Sequence, residues 1–238
     1  MSEPLLSVLD LSAGYGDVTV LWDVSLHVRQ GEMVCIVGSN GAGKTTLLRT
    51  ISGLVRSRRG SIRFDGRDLT NAAPDAVLSA GVAHVPEGRR LFKGLTVRDN
   101  LLLGAYLRRD REAVERDLDR MFELFPILRE RAHQDATTMS GGEQQMCAIA
   151  RGIMSRPKLL MIDELSLGLA PRLVERLSEA LVEINREGLT ILLVEQDVMA
   201  AFELASRAFV IETGRVAMAG ATATLSDDPA VRQAYLGL

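Results

Sequence analysis

The sequence predicts an α/β fold whose core is a parallel sheet. Three apolar runs are short enough to be buried strands, at Met33–Val37, Leu159–Glu164 and Ile191–Val194. Residues with helical spacing lie between the last two runs, namely Val174, Leu177, Leu181 and Ile184. Because strands that alternate with helices along a chain pair in parallel, these segments predict one parallel sheet covered by helices.

The first strand runs directly into a glycine-rich segment, GSNGAGKTT at residues 38–46. It fits the pattern G-x-x-x-x-G-K-[ST], in which Gly38, Gly41 and Gly43 let successive backbone N–H groups point at a polyphosphate. Lys44 would reach the β- and γ-phosphates, and the Thr45 hydroxyl would ligate Mg²⁺. The alternative is an ordinary glycine-rich turn; a preceding strand and a following helix favour the phosphate loop.

The second strand ends in two carboxylates, Asp163 and Glu164. Ligands of open parallel sheets bind at the carboxyl ends of the strands. Asp163 is therefore placed to hold a Mg²⁺ shell, and Glu164 to polarise an attacking water. The alternative is that two acids after a strand simply mark a solvated loop.

A third motif, MSGGEQQ, begins at Met139. Ser140 and Glu143 have the spacing of a capping box, which predicts the start of a helix there. Gly141 and Gly142 occupy its first turn, although glycine costs about 1 kcal/mol each relative to alanine in a helix. Glycine at these positions would allow the backbone to approach a phosphate closely, which would account for the cost. The alternative is that the segment is only a well-capped helix.

Outside these motifs, the pattern predicts an antiparallel sheet and a helical region. Strands are expected at Leu6–Leu11, Ser25–Arg29 and Ser61–Phe64, the last closed by an Asp-Gly turn. The segment from about residue 95 to 136 has helical periodicity and many charges. Its arginines, Arg108 among them, are expected to be solvated.

Composition excludes several classes of function. The 238 residues carry a net charge of −3 and only 4% aromatic residues, so no basic or stacking surface for nucleic acid is expected. Cys35 and Cys147 lie in apolar settings and are expected to be buried, reduced thiols. No run approaches about 18 consecutive apolar residues, and no export signal is visible, so a chain that neither spans a membrane nor is exported is expected.

Taken together, the three motifs resemble those of the ATP-binding subunits of ABC transporters over essentially the whole chain. GSNGAGKTT resembles Walker A, SGGEQ the signature motif and LLMIDE Walker B. The resemblance implies a P-loop NTPase (RecA-like) core with a small antiparallel β subdomain and an inserted helical subdomain that carries the signature. It implies one nucleotide-binding domain at 1–238, with the core at about 1–88 and 150–238 and the helical subdomain at about 89–149.

The resemblance also implies residue roles. Tyr15 occupies the position at which the family has an aromatic residue that stacks on adenine. Glu87 occupies the position of a residue that senses the γ-phosphate and contacts the permease. Gln196 occupies the position at which most relatives have a switch histidine. Catalytic roles fall to Glu164, Gln196 and Lys44, and Thr45, Glu87 and Asp163 would hold Mg²⁺ through waters. ATP and Mg²⁺ are the expected cofactors, and the residues expected to contact the nucleotide are Tyr15, Gly38, Ser39, Asn40, Gly41, Ala42, Gly43, Lys44, Thr45, Thr46, Glu87, Ser140, Gly141, Gly142, Glu143 and Asp163.

Details within the motifs are similar to one subfamily, the second ATPase of branched-chain amino acid importers. They are Glu87 followed by GRR, GGEQQ in the signature, LGLAP after Walker B, and Gln196. The subfamily reads DEPS where this chain reads DELS; proline at position 165 would bias Glu164 toward extended backbone. Leu165 leaves that constraint on the Glu164 backbone to packing.

The resemblance implies an ATPase at the cytoplasmic face of the cell membrane, bound peripherally to permease subunits. A second, homologous ATPase would pair with it head to tail, and an external solute-binding protein would act indirectly. Two alternatives stay open: an importer of another small polar solute such as an amide, and a non-transport ABC ATPase. A regulatory module that does not hydrolyse ATP is disfavoured because Lys44 and Glu164 are both present.

Overall fold

A computed structural model describes residues 3–233, and ten strands occur within them. Six form a sheet in the order β10-β9-β3-β8-β7-β6, in which all neighbours are parallel except β9 and β10. The other four form an antiparallel sheet in the order β2-β1-β4-β5. The bounds are β1 Leu6–Tyr15, β2 Val18–Val28, β3 Met33–Val37, β4 Ser57–Phe64, β5 Arg67–Asp68, β6 Val82–Val85, β7 Leu159–Asp163, β8 Thr190–Glu195, β9 Arg207–Glu212 and β10 Arg215–Ala221.

The parallel and antiparallel sheets confirm the predicted strands, but the antiparallel ones are longer than expected. β1 continues to Tyr15 and β2 begins at Val18. Their pairing is shifted at several points, and Asp10 and Asp23 have positive φ. Such bulges interrupt the alternation of apolar and polar residues, which is why the pattern indicated only part of each strand.

Helices cover both faces of the parallel sheet. Their bounds are α1 Lys44–Ile51, α2 Pro74–Ala80, α3 Val97–Gly104, α4 Arg111–Leu124, α5 Pro126–Glu130, α6 Gly141–Ile153, α7 Pro171–Arg186, α8 Val198–Leu204, α9 Thr222–Ser226 and α10 Pro229–Val231, with a 3₁₀ turn at Ala136–Thr138. The predicted helical region is thus three helices; Pro126 ends α4, because proline lacks the N–H that would continue it, and begins α5.

The hydrophobic core has two parts, one on each face of the parallel sheet. In β3, Met33, Cys35 and Val37 face the part that contains α3, α4, α6 and α7, whereas Val34 and Ile36 face α1 and the antiparallel sheet. All five are buried, as expected for a strand in a sheet covered on both sides. Both cysteines are free and fully buried, as predicted, and burial raises the pKa of each thiol to about 12.

One arginine contradicts the expectation of a solvated face. Arg108 is largely buried and donates to Asp110, to Asp117 and to the carbonyl oxygen of Met154. Arg108 connects the segment between α3 and α4 to the end of α6. Its partners lie up to 46 residues away in the chain, so no periodic pattern in the sequence indicates these contacts. The division into a core and a helical subdomain at about residues 89–149 stays a prediction.

Candidate active site

The loops that follow β3, β6, β7 and β8 leave the parallel sheet at the same edge, because these strands run in the same direction. They surround a cavity of about 430 Å³. Most of the residues predicted to act at a nucleotide line this cavity, whose lining is Val20, Asn40, Gly41, Ala42, Gly43, Lys44, Thr45, Thr46, Glu87, Glu164, Leu167 and Gln196.

The glycine-rich loop wraps around the ammonium group of Lys44. Gly41 and Gly43 have φ of 78° and 108°, left-handed values that favour glycine, and Gly43 is the N-cap of α1. Lys44 Nζ donates to the carbonyl oxygens of Gly38, at 2.7 Å, and Ser39, at 3.2 Å. A positive charge and the N-terminal end of a helix therefore meet in one loop, which suits an anion such as a polyphosphate.

Asp163 carries a buried carboxylate of the chemical type that hard cations bind. Its Oδ1 accepts from the Thr45 hydroxyl at 3.1 Å, and its buried Oδ2 has no hydrogen-bond partner within residues 3–233. In the same residues no group of three or more histidine, cysteine or acidic side chains is arranged around a common metal position. Mg²⁺ is commonly held by one or two carboxylates together with waters and substrate phosphates, so Asp163 and Thr45 fit this ion.

The pKa of Asp163 is raised to about 6, chiefly by burial and also by the nearby carboxylates of Glu87 and Glu164, whereas the hydrogen bond from the Thr45 hydroxyl opposes the shift. The folded chain therefore holds this proton more tightly than the unfolded chain, whose aspartate titrates near 3.8. Ionisation of Asp163 consequently destabilises the nucleotide-free fold as the pH rises between these values.

We expect Asp163→Asn to stabilise the nucleotide-free protein, because it replaces a buried charge with a neutral group of the same shape. The free energy of unfolding should rise by about 1–3 kcal/mol at pH 7.5. The gain should be absent below about pH 4, grow as the pH rises and level off above about pH 6. Urea unfolding of both proteins across this range measures it; a difference that does not change with pH would contradict the assignment.

Glu164 lies directly after β7 in a strained backbone conformation. Its φ is 59°, in the left-handed region that costs a non-glycine residue about 1–2 kcal/mol. Its N–H donates to the carbonyl oxygen of Val194 at 2.9 Å, and its side chain lines the cavity with Lys44 and Gln196. Burial raises the pKa of Glu164, and the Lys44 ammonium opposes that shift.

Three other predicted residues differ in their relation to the cavity. Glu87 and Gln196 are exposed and line it, from the loops after β6 and β8. Tyr15, at the end of β1, lies outside the lining; it is 44% exposed and its hydroxyl accepts from Arg49 at 3.4 Å. The loop after β1 is nevertheless close to the site, since Val20, on the paired strand β2, is a lining residue.

The signature segment also lies outside this lining. The capping box is confirmed: the Ser140 hydroxyl accepts from the N–H of Glu143, and the Glu143 carboxylate accepts from the N–H of Ser140 at 2.8 Å. Packing within the chain favours glycine at position 142, because a Cβ there would lie 2.3 Å from the Leu173 side chain of α7. A Cβ at Gly141 would lie 2.9 Å from the Arg89 guanidinium.

Sequence reasoning missed three residues near the site. Val20 lines the cavity without belonging to a recognised chemical pattern, and Leu167 lines it as the first residue of the LGLAP segment, for which no role at the cavity was predicted. Glu195 ends β8 in a buried position beside Gln196, whereas the predicted strand stopped at Val194. An acid at the carboxyl end of a parallel strand was the available signal, as it was for Asp163.

The sequence model of the ABC transporter family matches residues 21–166 of this chain. The chain belongs to the ABC transporter family. It is 47% identical to the branched-chain amino acid transport ATP-binding protein BraG of Pseudomonas aeruginosa, over 98% of the chain and 100% of that protein. It is 34% identical to a probable branched-chain amino acid transport ATP-binding protein, LivF of Archaeoglobus fulgidus, over 98% of the chain and 99% of that protein.

Solved structures agree with this family assignment. The ATP-binding subunit of an ABC transporter superposes with a TM-score of 0.83 at 33% identity, covering 98% of this chain and 96% of the other. The predicted P-loop fold, with its parallel core and antiparallel sheet, is thereby confirmed, as is the expectation of an ABC ATPase that binds nucleotide and hydrolyses ATP. Within residues 3–233, no helix has the length and apolar character needed to cross a membrane.

Proposed function

We propose that this chain is the ATP-hydrolysing motor subunit of an importer for branched-chain amino acids. The observation that carries the proposal is the convergence of Lys44, Thr45, Glu87, Glu164 and Gln196 on one cavity at the carboxyl edge of the sheet. Phosphate, metal and water chemistry would thus meet in a single place.

Each group in the cavity has a distinct task in hydrolysis. The loop N–H groups and Lys44 bind and orient the phosphates, while Asp163 and Thr45 would hold Mg²⁺, which neutralises developing charge on the phosphoryl oxygens. Glu164 accepts the proton of the attacking water. The raised pKa of Glu164 suits this role, because a stronger base takes a proton more readily at neutral pH.

The solute is proposed from the relatives, because the names of BraG and LivF both specify branched-chain amino acid transport. Coverage of almost the full length of both proteins supports transfer of this role. An importer of another small polar solute, such as an amide, is the alternative. It would share the motor chemistry and differ in the permease and in the external solute-binding protein, which contacts this chain only indirectly.

A second ATPase subunit would complete the site. Ser140, Gly141, Gly142 and Glu143 lie outside the lining of the chain's own cavity, although they have the chemistry of an anion site at the N-terminus of α6. We propose that they contact the nucleotide of a partner in a head-to-tail dimer. Tyr15, at the outer end of β1, would stack on the adenine in the chain's own site.

A permease would dock beside Glu87. A groove of about 350 Å³ lies between β6, α3 and α6, and Phe92 and Tyr106 line it with more than half of their surface exposed. Arg151 also lines the groove and donates to the carbonyl oxygens of Arg89 and Arg90, close to Glu87. Binding to membrane-embedded permease subunits would place the chain peripherally, at the cytoplasmic face of the membrane.

The function is tested by co-expressing the chain with the proteins encoded by the genes that neighbour its own. Co-purification of the chain with the permease, and ATP-dependent uptake of radiolabelled leucine into proteoliposomes, are expected. Uptake of an amide but not of leucine would select the other importer. Co-purification with ribosomes, without a permease, would indicate a non-transport ABC ATPase.

We expect Gln196 to contact the γ-phosphate through its neutral amide, which donates at every physiological pH. Gln196→His should retain activity and gain a pH dependence, because imidazole titrates near pH 6.5. Gln196→Ala should slow hydrolysis without changing thermal stability, since the residue is exposed. ATPase rates from about pH 6 to 8.5 in the assembled transporter measure this; superimposable profiles for all three proteins would mean that Gln196 has no role at the phosphate.

A further inference from the structure

Glu195 is a buried carboxylate that stands next to the active site without lining the cavity. It is the last residue of β8 and only 2% exposed. Burial raises its pKa, and hydrogen bonds from Ser166 oppose that shift. Because an ionised carboxylate is costly to bury unless it is hydrogen-bonded, its partners indicate what it does there.

Both oxygens of this carboxylate are occupied by one residue of the turn after β7. Glu195 Oε1 accepts from the N–H of Ser166, and Oε2 accepts from the Ser166 hydroxyl, each at 3.0 Å. Ser166 is two residues beyond Glu164 in the chain. Glu195 therefore joins the end of β8 to the segment that presents the proposed catalytic base.

The turn is attached to β8 on both sides of Leu165. Ahead of it, the N–H of Glu164 donates to the carbonyl oxygen of Val194. Behind it, Ser166 is held by Glu195, and Leu165 itself is 1% exposed. Three consecutive residues are thus fixed by a backbone bond, a buried side chain and a two-point carboxylate contact.

These attachments matter because Glu164 has a left-handed backbone, with φ of 59°. Strained conformations of this kind persist only where the surrounding contacts over-determine them. Leu165 imposes no backbone restriction of the sort that proline imposes on the preceding residue. The conformation of Glu164 must therefore be maintained by the contacts of the turn that contains it, and Glu195 supplies two of these through Ser166.

We propose that Glu195 is a positioning residue for ATP hydrolysis, which holds Ser166 and thereby keeps the Glu164 carboxylate aimed into the cavity. This inference rests on the proposed role of Glu164 as the base. Glu195 touches neither nucleotide nor water in this scheme. Misplacement of a reacting group by about 1 Å can cost about 10²-fold in rate, so the loss of its contacts should slow catalysis.

The test compares Glu195→Ala with Glu195→Gln in the assembled transporter. The alanine variant should lower kcat about 10- to 100-fold and leave ATP affinity within about twofold, because the phosphate loop is intact. The glutamine variant should restore most of the rate. Its amide oxygen can still accept from the Ser166 N–H, and its NH₂ can donate to the Ser166 hydroxyl. Ser166→Ala, which loses one of the two bonds, should fall between them.

A matched control separates positioning from general destabilisation. Ile191→Ala truncates a buried residue of the same strand far from the cavity, and large-to-small core changes of this kind cost about 2–5 kcal/mol. Thermal unfolding of each variant identifies a temperature at which all are folded. The inference is overturned if, at that temperature, Glu195→Ala slows hydrolysis no more than Ile191→Ala does. It is also overturned if Glu195→Gln hydrolyses ATP as slowly as Glu195→Ala.

Glu164→Gln separates failure of this inference from failure of the proposed function. Severe loss of hydrolysis in Glu164→Gln with normal rates in every Glu195 variant would remove only the positioning role. Near-normal hydrolysis in Glu164→Gln would remove the base, and the positioning role with it.

Discussion

Glu164→Gln is expected to bind ATP normally and to hydrolyse it at least about 10²-fold more slowly. The substitution keeps the shape of the side chain and the phosphate loop but removes the carboxylate that accepts a proton from water. The backbone contact to Val194 is retained, since it involves the N–H of residue 164. Single-turnover hydrolysis and equilibrium binding of a fluorescent ATP analogue measure the two properties separately.

Lys44→Ala is the matched comparison and should fail at an earlier step. Lys44 Nζ is the positive charge inside the glycine-rich loop, so its removal weakens nucleotide binding itself. Binding should therefore distinguish the two variants even though both have lost hydrolysis. Equal loss of ATP affinity in both would show that Glu164 acts in binding, and near-normal turnover in Glu164→Gln would exclude it as the base.

The sequence predicts the segments around the phosphate loop and the signature motif well, because recognisable functional motifs and regular apolar patterns occur together there. The strand before the phosphate loop has the predicted bounds, Met33–Val37, since residues buried on both faces leave an uninterrupted apolar run. The capping box at Ser140 and Glu143 is equally local, because both hydrogen bonds join residues three apart. In such segments the signals that indicate the structure lie within a few residues of one another.

Interactions between distant residues could not be predicted in this way. Ser166 and Glu195 are 29 residues apart, and their contact depends on which strand lies beside β7 in the sheet. Gly142 is similar: its sequence context suggests a phosphate, whereas the structure adds the close approach of Leu173. The strained backbone of Glu164 has no local signal either, because glutamate is not a residue that favours positive φ.

Gly142→Asp is expected to abolish hydrolysis by acting on the nucleotide of the partner subunit. If the N-terminus of α6 faces that nucleotide, a carboxylate there repels the γ-phosphate. Two like charges at about 4 Å and an effective dielectric constant of about 20 repel by about 4 kcal/mol, which is about 10³-fold in rate. ATP affinity of the isolated chain should not change, because Gly142 lies outside the lining of its own cavity.

Gly142→Ala separates the charge from the added bulk. A Cβ at this position meets the far end of the Leu173 side chain, which can move, so alanine should cost some stability and retain much of the activity. Hydrolysis by the assembled transporter and ATP binding by the isolated chain are measured for both variants. A loss of hydrolysis in Gly142→Ala as large as in Gly142→Asp would trace the defect to packing against α7. Weakened ATP binding by isolated Gly142→Asp would mean that the signature segment acts on the chain's own nucleotide.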